Sequence, residues 1–199
     1  MPMKRLWSYA LVALVAVSSL SCSDEEVLPS QRDKIVSFLT SSHAPALVAE
    51  SDADLEAQQA FYSVSGNTVY RYIDNYYAPG RDQKKVVEAS SKVTITFRAY
   101  VFTFSAITDS TFPYYSNDPL LRNAYLEMGL SEGAWSFEPL TLDLRGDILK
   151  GLRYALLGCR EDDEVEAYMT YNMAYGDANF STIPRESPVA WFFTVESVE

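Results

Sequence analysis

Asp147-Ile148-Leu149-Lys150-Gly151-Leu152-Arg153-Tyr154-Ala155-Leu156-Leu157-Gly158 reads as one short helix set between strands. Asp147 supplies a capping side chain, and Ile148, Leu149, Leu152, Ala155 and Leu156 recur at helical spacing as one apolar stripe. Gly158 suits the left-handed backbone that ends helices. The flanking sequence supplies a surface for that stripe. From Lys92 to Phe104 the chain alternates: Val93, Ile95, Phe97, Ala99 and Val101 fall on one face, Thr94, Thr96, Arg98 and Tyr100 on the other. Glu164 to Tyr171 and Val189 to Val198 read as further strands. In the second, Val189, Trp191, Phe193 and Val195 alternate with Ala190, Phe192 and Thr194. Phe61 to Tyr77 is rich in aromatic and β-branched residues, with Gly66-Asn67 as a turn inside the run. Strands, one core-facing helix and strands again predict an α+β layer, a helix against an antiparallel sheet.

Less regular segments join these elements. Asp109 to Gly133 is an excursion. Within it Asn117-Asp118-Pro119 starts a helix, and Leu120, Leu121, Ala124, Tyr125 and Met128 share a face. Asp33 to Ala60 reads as helix and tether, with a short stripe at Ile35, Val36, Phe38 and Leu39, a break at Pro45, and good helix formers from Asp52 to Gln59.

The N-terminus has a different purpose. Lys4 and Arg5 precede an uncharged apolar run from Leu6 to Leu20, about 15 residues where a spanning helix needs about 20. This is the pattern of a cleaved export signal covering residues 1–21. Ser19-Leu20-Ser21-Cys22 resembles the lipobox of bacterial lipoproteins, although Ser19 stands where an aliphatic residue is usual. The resemblance implies a lipid on Cys22, and so a membrane attachment through that lipid. Ser23-Asp24-Glu25-Glu26 has two readings: a solvated spacer, or an acidic export signal resembling that of Bacteroidetes-type lipoproteins at the outer face of the outer membrane.

Charge narrows the partners. Without Lys4 and Arg5, 14 of the 16 basic residues remain against 27 acidic ones, a net charge near −13. Phosphate backbones are repelled by such a surface, so nucleic acid is not expected as a partner. If Cys22 carries lipid, Cys159 has no disulfide partner and reads as a structural thiol after the helix end. His43 is the single histidine, in a polar stretch remote in sequence from any acidic cluster. No zinc spacing, glycine-rich phosphate loop or nucleophile elbow occurs, and no metal or cofactor is expected.

Four features in order then carry a resemblance: the Ile148-Leu149-Lys150-Gly151-Leu152 helix start, the acidic turn from Gly158 to Glu164, Ala174-Tyr175-Gly176, and Ile183-Pro184 before the aromatic strand. Together they resemble the FKBP family of peptidyl-prolyl cis-trans isomerases, best from Leu140 to Glu199. The resemblance implies an FKBP-like curved antiparallel sheet wrapped around one short helix, with a helical insertion and an N-terminal lipidated tether. It assigns the tether, with short helices, to residues 22–60 and the domain to 61–199. It implies catalytic roles for Tyr175, whose hydroxyl would bind a substrate carbonyl, Leu149, whose backbone amide would be the second donor, and the aromatics Phe97 and Trp191. Leu140, Leu152, Tyr115 and Ile183 would contact substrate. Leu152 stands where the family has a tryptophan floor, and Ser116 where it has an aspartate.

The chemistry fits this composition. Rotation about an X-Pro bond meets a barrier of about 18–20 kcal/mol from lost amide conjugation, and no proton transfer is required to lower it. A dry aromatic pocket with one or two oriented donors suffices. The expected function is thus isomerisation of proline-containing exported or surface polypeptides by a membrane-anchored enzyme. The alternative is a catalytically silent FKBP-like module that binds peptide or protein. A third reading, a surface lipoprotein capturing glycan or nutrient, draws on the 14 tyrosines and three tryptophans alone.

Overall fold

A computed structural model describes residues 24–131 and 135–199, which contain ten helices and strands. They are α1 (Asp24–Ser41), β1 (Ser63–Ser65), β2 (Val69–Ile73), β3 (Lys92–Val101), β4 (Tyr115–Ser116), α2 (Arg122–Glu127), β5 (Leu140–Asp143), α3 (Lys150–Leu156), β6 (Glu164–Met169) and β7 (Val189–Val198). Single 3-10 turns lie at Glu50–Asp52, Arg81–Gln83, Pro119–Leu121 and Tyr171–Met173. Cys22 and the export signal expected at residues 1–21 lie outside the described residues. No helix among the described residues is long and apolar enough to cross a membrane.

The seven strands form one antiparallel sheet in the order β1-β2-β6-β7-β3-β4, with β5 also on β3. Its two long central strands, β3 and β7, pair from Val93↔Val198 to Val101↔Val189, with a bulge after Thr94. Gly66 and Asn67 both have positive φ, 56° and 54°, which is the twist a tight β1–β2 hairpin requires.

Each face of the sheet has its own core. On one, Val93, Ile95, Phe97 and Ala99 join Val165, Ala167, Met169, Val189, Trp191 and Phe193 against Leu152, Ala155 and Leu156 of α3. Full burial of such a side chain contributes about 1.5–3 kcal/mol. The helix lies very close to the sheet. A Cβ on Gly151 would sit 2.6 Å from Met169 Sδ and 2.7 Å from the Met173 carbonyl oxygen, so only glycine fits there. Arg71 of β2 closes the other end of α3, donating to the carbonyls of Ala155 and Leu157, which the helix leaves without partners.

The opposite face carries Tyr62, Tyr70, Tyr100, Phe102, Tyr168 and Ala190, and α1 covers it with Ile35, Phe38 and Leu39. Residues 24–41 form one helix packed on the sheet, where its apolar Ile35, Phe38 and Leu39 meet an aromatic surface that would otherwise be wet. Asp52 to Gln59, expected to be helical, holds only the end of a 3-10 turn and further turns.

Other local expectations shift for identifiable reasons. Asp118 does cap as its sequence suggests, accepting from the Leu120 amide, but what it opens is a 3-10 turn and the six-residue α2. That helix is too short to seat its stripe: Tyr125 is buried, whereas Leu120 and Met128 are 82% and 67% exposed. Helix α3 starts at Lys150, and the flanking residue is Leu149, not the expected cap Asp147. Cys159 is fully buried and donates to the Ala155 carbonyl, and burial pushes its thiol up to about 12, as befits a structural role. His43 is not remote from acid in space: its Nε2 lies 2.9 Å from Glu166 Oε2 on β6.

Candidate active cleft

The helix start and the loop after β6 face each other across a cleft of about 390 Å³. The Asp147–Leu149 approach to α3 forms one wall, and Ala174, Tyr175 and the Ala178–Phe180 segment form another. Tyr115, Leu140, Leu142, Leu152 and Trp191 come from the sheet and helix beneath. Six of the eight residues implied by the resemblance are therefore lining residues: Tyr175, Leu149, Trp191, Leu140, Leu152 and Tyr115. The two others are buried beside the cleft. Phe97 is 1% exposed and packs on Trp191, with ring centroids 4.4 Å apart, and on Tyr115 at 5.0 Å. Ile183 is equally buried, because its backbone pairs with Phe180 and turns its side chain into the core. Neither lines the cleft; both brace residues that do.

Phe180 is the large aromatic lining residue that the sequence reading missed, along with Leu142, Ala178 and Asn179. It sits in a loop with no periodicity, between Ala174-Tyr175-Gly176 and Ile183-Pro184. Its ring stacks on Tyr175 and meets Tyr115 edge-on at 5.7 Å. The only available signal was its place between two loops already suspected of forming a rim.

Polar groups are few in this cleft. The Tyr175 hydroxyl and the Trp191 indole nitrogen are buried without a partner among the described residues. Burial, reinforced by the neighbouring Tyr115, raises the Tyr175 pKa far above its ordinary value, so the hydroxyl stays a neutral donor. The Leu149 amide, just before α3, has no acceptor among the described residues. Ser116 is fully buried and turned away, donating to the Phe97 carbonyl and accepting from the Asp118 amide. Asn117 beside it binds the Phe97 amide and the carbonyls of Ile95 and Glu138. This pair therefore fastens β4 to β3 and offers nothing to a ligand.

A second cavity of about 320 Å³ lies near β2, between Phe61, Tyr76, Arg71, Arg81 and Arg160. Its cations are engaged by the protein itself. Arg81 pairs with Asp163 at 2.6 Å, Arg71 caps α3, and Arg160 donates to the carbonyls of Asp82 and Lys84. Of these two cavities among the described residues, the cleft at Tyr175 is the one with uncommitted donors in an apolar wall.

Comparison with solved structures bears on this arrangement. The fold is similar to that of a peptidyl-prolyl cis-trans isomerase from Pseudomonas syringae pv. tomato, with a TM-score of 0.53 at 11% identity over 88% of this chain and 95% of that one. The likeness is one of fold. The N-terminal domain of FKBP42 from Arabidopsis thaliana also matches, with a TM-score of 0.44 at 15% identity over 71% of this chain and 94% of that one. No family model and no curated protein sequence matches the chain. The curved antiparallel sheet around one short helix is FKBP-like, as the four sequence features imply.

Proposed function

We propose that this protein is a peptidyl-prolyl cis-trans isomerase that acts on exported polypeptides. The observation that supports it best is the cleft itself: an apolar, aromatic-lined space in which the buried Tyr175 hydroxyl and the Leu149 amide are donors without acceptors. A bound X-Pro segment would supply carbonyl oxygens to both. The apolar wall from Leu140, Leu142, Leu152 and Trp191 would strip water from the amide, which favours the twisted, less conjugated form over the planar one. None of this needs a general acid or base.

Two features favour the silent binding module as the competing reading. Leu152 supplies a smaller floor than the tryptophan of the resembled family, and Ser116 is committed to the backbone. A domain can keep a fold and lose an activity. A protease-free isomerisation assay on residues 23–199 separates the two: acceleration over the uncatalysed peptide supports the enzyme, whereas peptide binding without acceleration supports the module. Placement at the membrane through a lipid on Cys22, and exposure at the outer face through Asp24-Glu25-Glu26, belong to the same proposal and rest on sequence alone.

A further inference from the structure

The segment first read as tether reaches the rim of the cleft through one side chain. Gln31 of α1 is 7% exposed. Its Oε1 accepts the Tyr171 amide at 3.0 Å, and its Nε2 donates to the Glu186 carbonyl at 2.8 Å. These two residues bound the loops that carry the rim. The Tyr171 carbonyl accepts from the Gly176 amide at 2.9 Å, and the Gly176 carbonyl accepts from the Glu186 amide at 2.9 Å. Gln31, Tyr171, Gly176 and Glu186 thus close a ring of four hydrogen bonds, and Tyr175 is carried within it.

We propose that Gln31 is a positioning residue for the cleft, holding the Tyr175 loop in place from the opposite side of the molecule. The inference rests on the isomerase reading above and deepens it. A carboxamide suits this place because its oxygen accepts from one backbone amide while its nitrogen donates to a backbone carbonyl; an ionised carboxylate can only accept. Glu186 gives the clamp a reason. Its φ of 55° is left-handed, a conformation uncommon for a residue with a side chain, so its carbonyl needs an external hold to stay where it is. Other contacts of α1, through Ile35, Phe38 and Leu39, bury apolar surface and touch the sheet, not the rim. The helix therefore has two separable contributions: those three side chains provide stability, and Gln31 fixes the cleft.

The test uses residues 23–199 with Gln31→Met, which keeps the side chain's length and removes both bonds. Amide hydrogen exchange at Tyr171, Gly176 and Glu186 should quicken by about fivefold or more, the loss of one ordinary hydrogen bond, while Ile95 and Phe193 amides in the sheet keep their rates. Prolyl isomerisation should slow by a similar factor. In a Tyr175→Phe background the same substitution should add little further slowing, since the residue being positioned has lost its hydroxyl. Exchange that rises equally across sheet and rim, or slowing that is fully additive with Tyr175→Phe, overturns the proposal. If the wild type does not isomerise proline at all, the proposed function fails, and the rim exchange alone decides the role of Gln31.

Discussion

The ring of Phe180 lies flat on that of Tyr175, centroids 4.3 Å apart and planes 14° from parallel. The stack sets the direction of the tyrosine hydroxyl, so both residues should govern turnover. Tyr175→Phe removes one hydrogen bond worth about 0.5–1.5 kcal/mol and should slow isomerisation by at most about tenfold. Phe180→Ala removes a stack of about the same worth and should slow it comparably without removing any polar group. Steady-state rates of the two variants check this, and an unchanged rate for Phe180→Ala would show that the stack orients nothing.

Turnover should be flat between about pH 6 and 8. The Tyr175 pKa is raised by burial and then by Tyr115, so the neutral donor persists well above that range. Asp147 is the one carboxylate among the described residues that line the cleft. A bell-shaped profile centred near neutrality would mean an acid–base group that the cleft does not contain.

Gly151→Ala should destabilise the protein and disturb the site together. The new methyl group would meet Met169 Sδ and the Met173 carbonyl inside contact distance, and overpacking of this kind costs about 1–3 kcal/mol. Met173 is two residues from Tyr175. The denaturant midpoint should fall, and the isomerisation rate of the folded fraction should fall with it.

Leu152→Trp, which would restore the floor of the resembled family, should not simply raise activity. Leu152 shares a packed core with Trp191 and Phe97 and is 2% exposed. A second indole there overfills the site at about 1–3 kcal/mol. Pairing it with Trp191→Phe should recover part of the loss, and thermal unfolding of the single and double variants shows whether the two positions trade volume.

The single histidine should respond to pH in a definite direction. His43 Nδ1 faces the Pro45 carbonyl at 2.9 Å and the Tyr62 hydroxyl at 2.8 Å, and Nε2 faces Glu166. A carbonyl and a carboxylate accept only, so the doubly protonated ring fits best. Burial lowers its pKa, but the bonds to Glu166 and Pro45 and the charge of Glu166 outweigh that and leave it raised. Tyr72 and Tyr168 pack on the same ring, and both stay neutral because burial, then nearby carboxylates, raises their own values. A raised folded-state pKa means the stabilisation is full below the unfolded value near 6.5 and is lost as pH rises through the folded value. His43→Gln should therefore cost stability at pH 5.5 and progressively less on the alkaline side. Imidazole proton shifts read the titration without overlap, and a midpoint at or below 6.5 would rule the pairing out.

Much of the sheet was legible because period-two alternation survives wherever one face is buried. β7 begins and ends where its pattern does, and β3 ends three residues early, at Val101. The Gly66-Asn67 turn was equally plain, since few other residue pairs accept two positive φ values. What stayed hidden depends on orientation or on distant pairing. Ile183 and Phe97 occupy the right segments, yet a motif places a loop without saying which way a side chain turns. The docking of α1 rests on three apolar residues and on Gln31, whose partners lie 140 and 155 positions away. The His43–Glu166 contact spans 123 positions, and neither neighbourhood hints at the other.

The central ladder has a kinetic consequence. Val93 pairs with Val198 and Val101 with Val189, while the intervening chain contributes three other strands, β4, β5 and β6, and the helices α2 and α3. Neither β3 nor β6 can complete its pairing before residues 189–198 are present. Closing loops of that length is entropically slow, and folds dominated by such contacts take milliseconds to seconds rather than microseconds. During that interval its alternating apolar strands are exposed to any neighbour that binds unpaired edges.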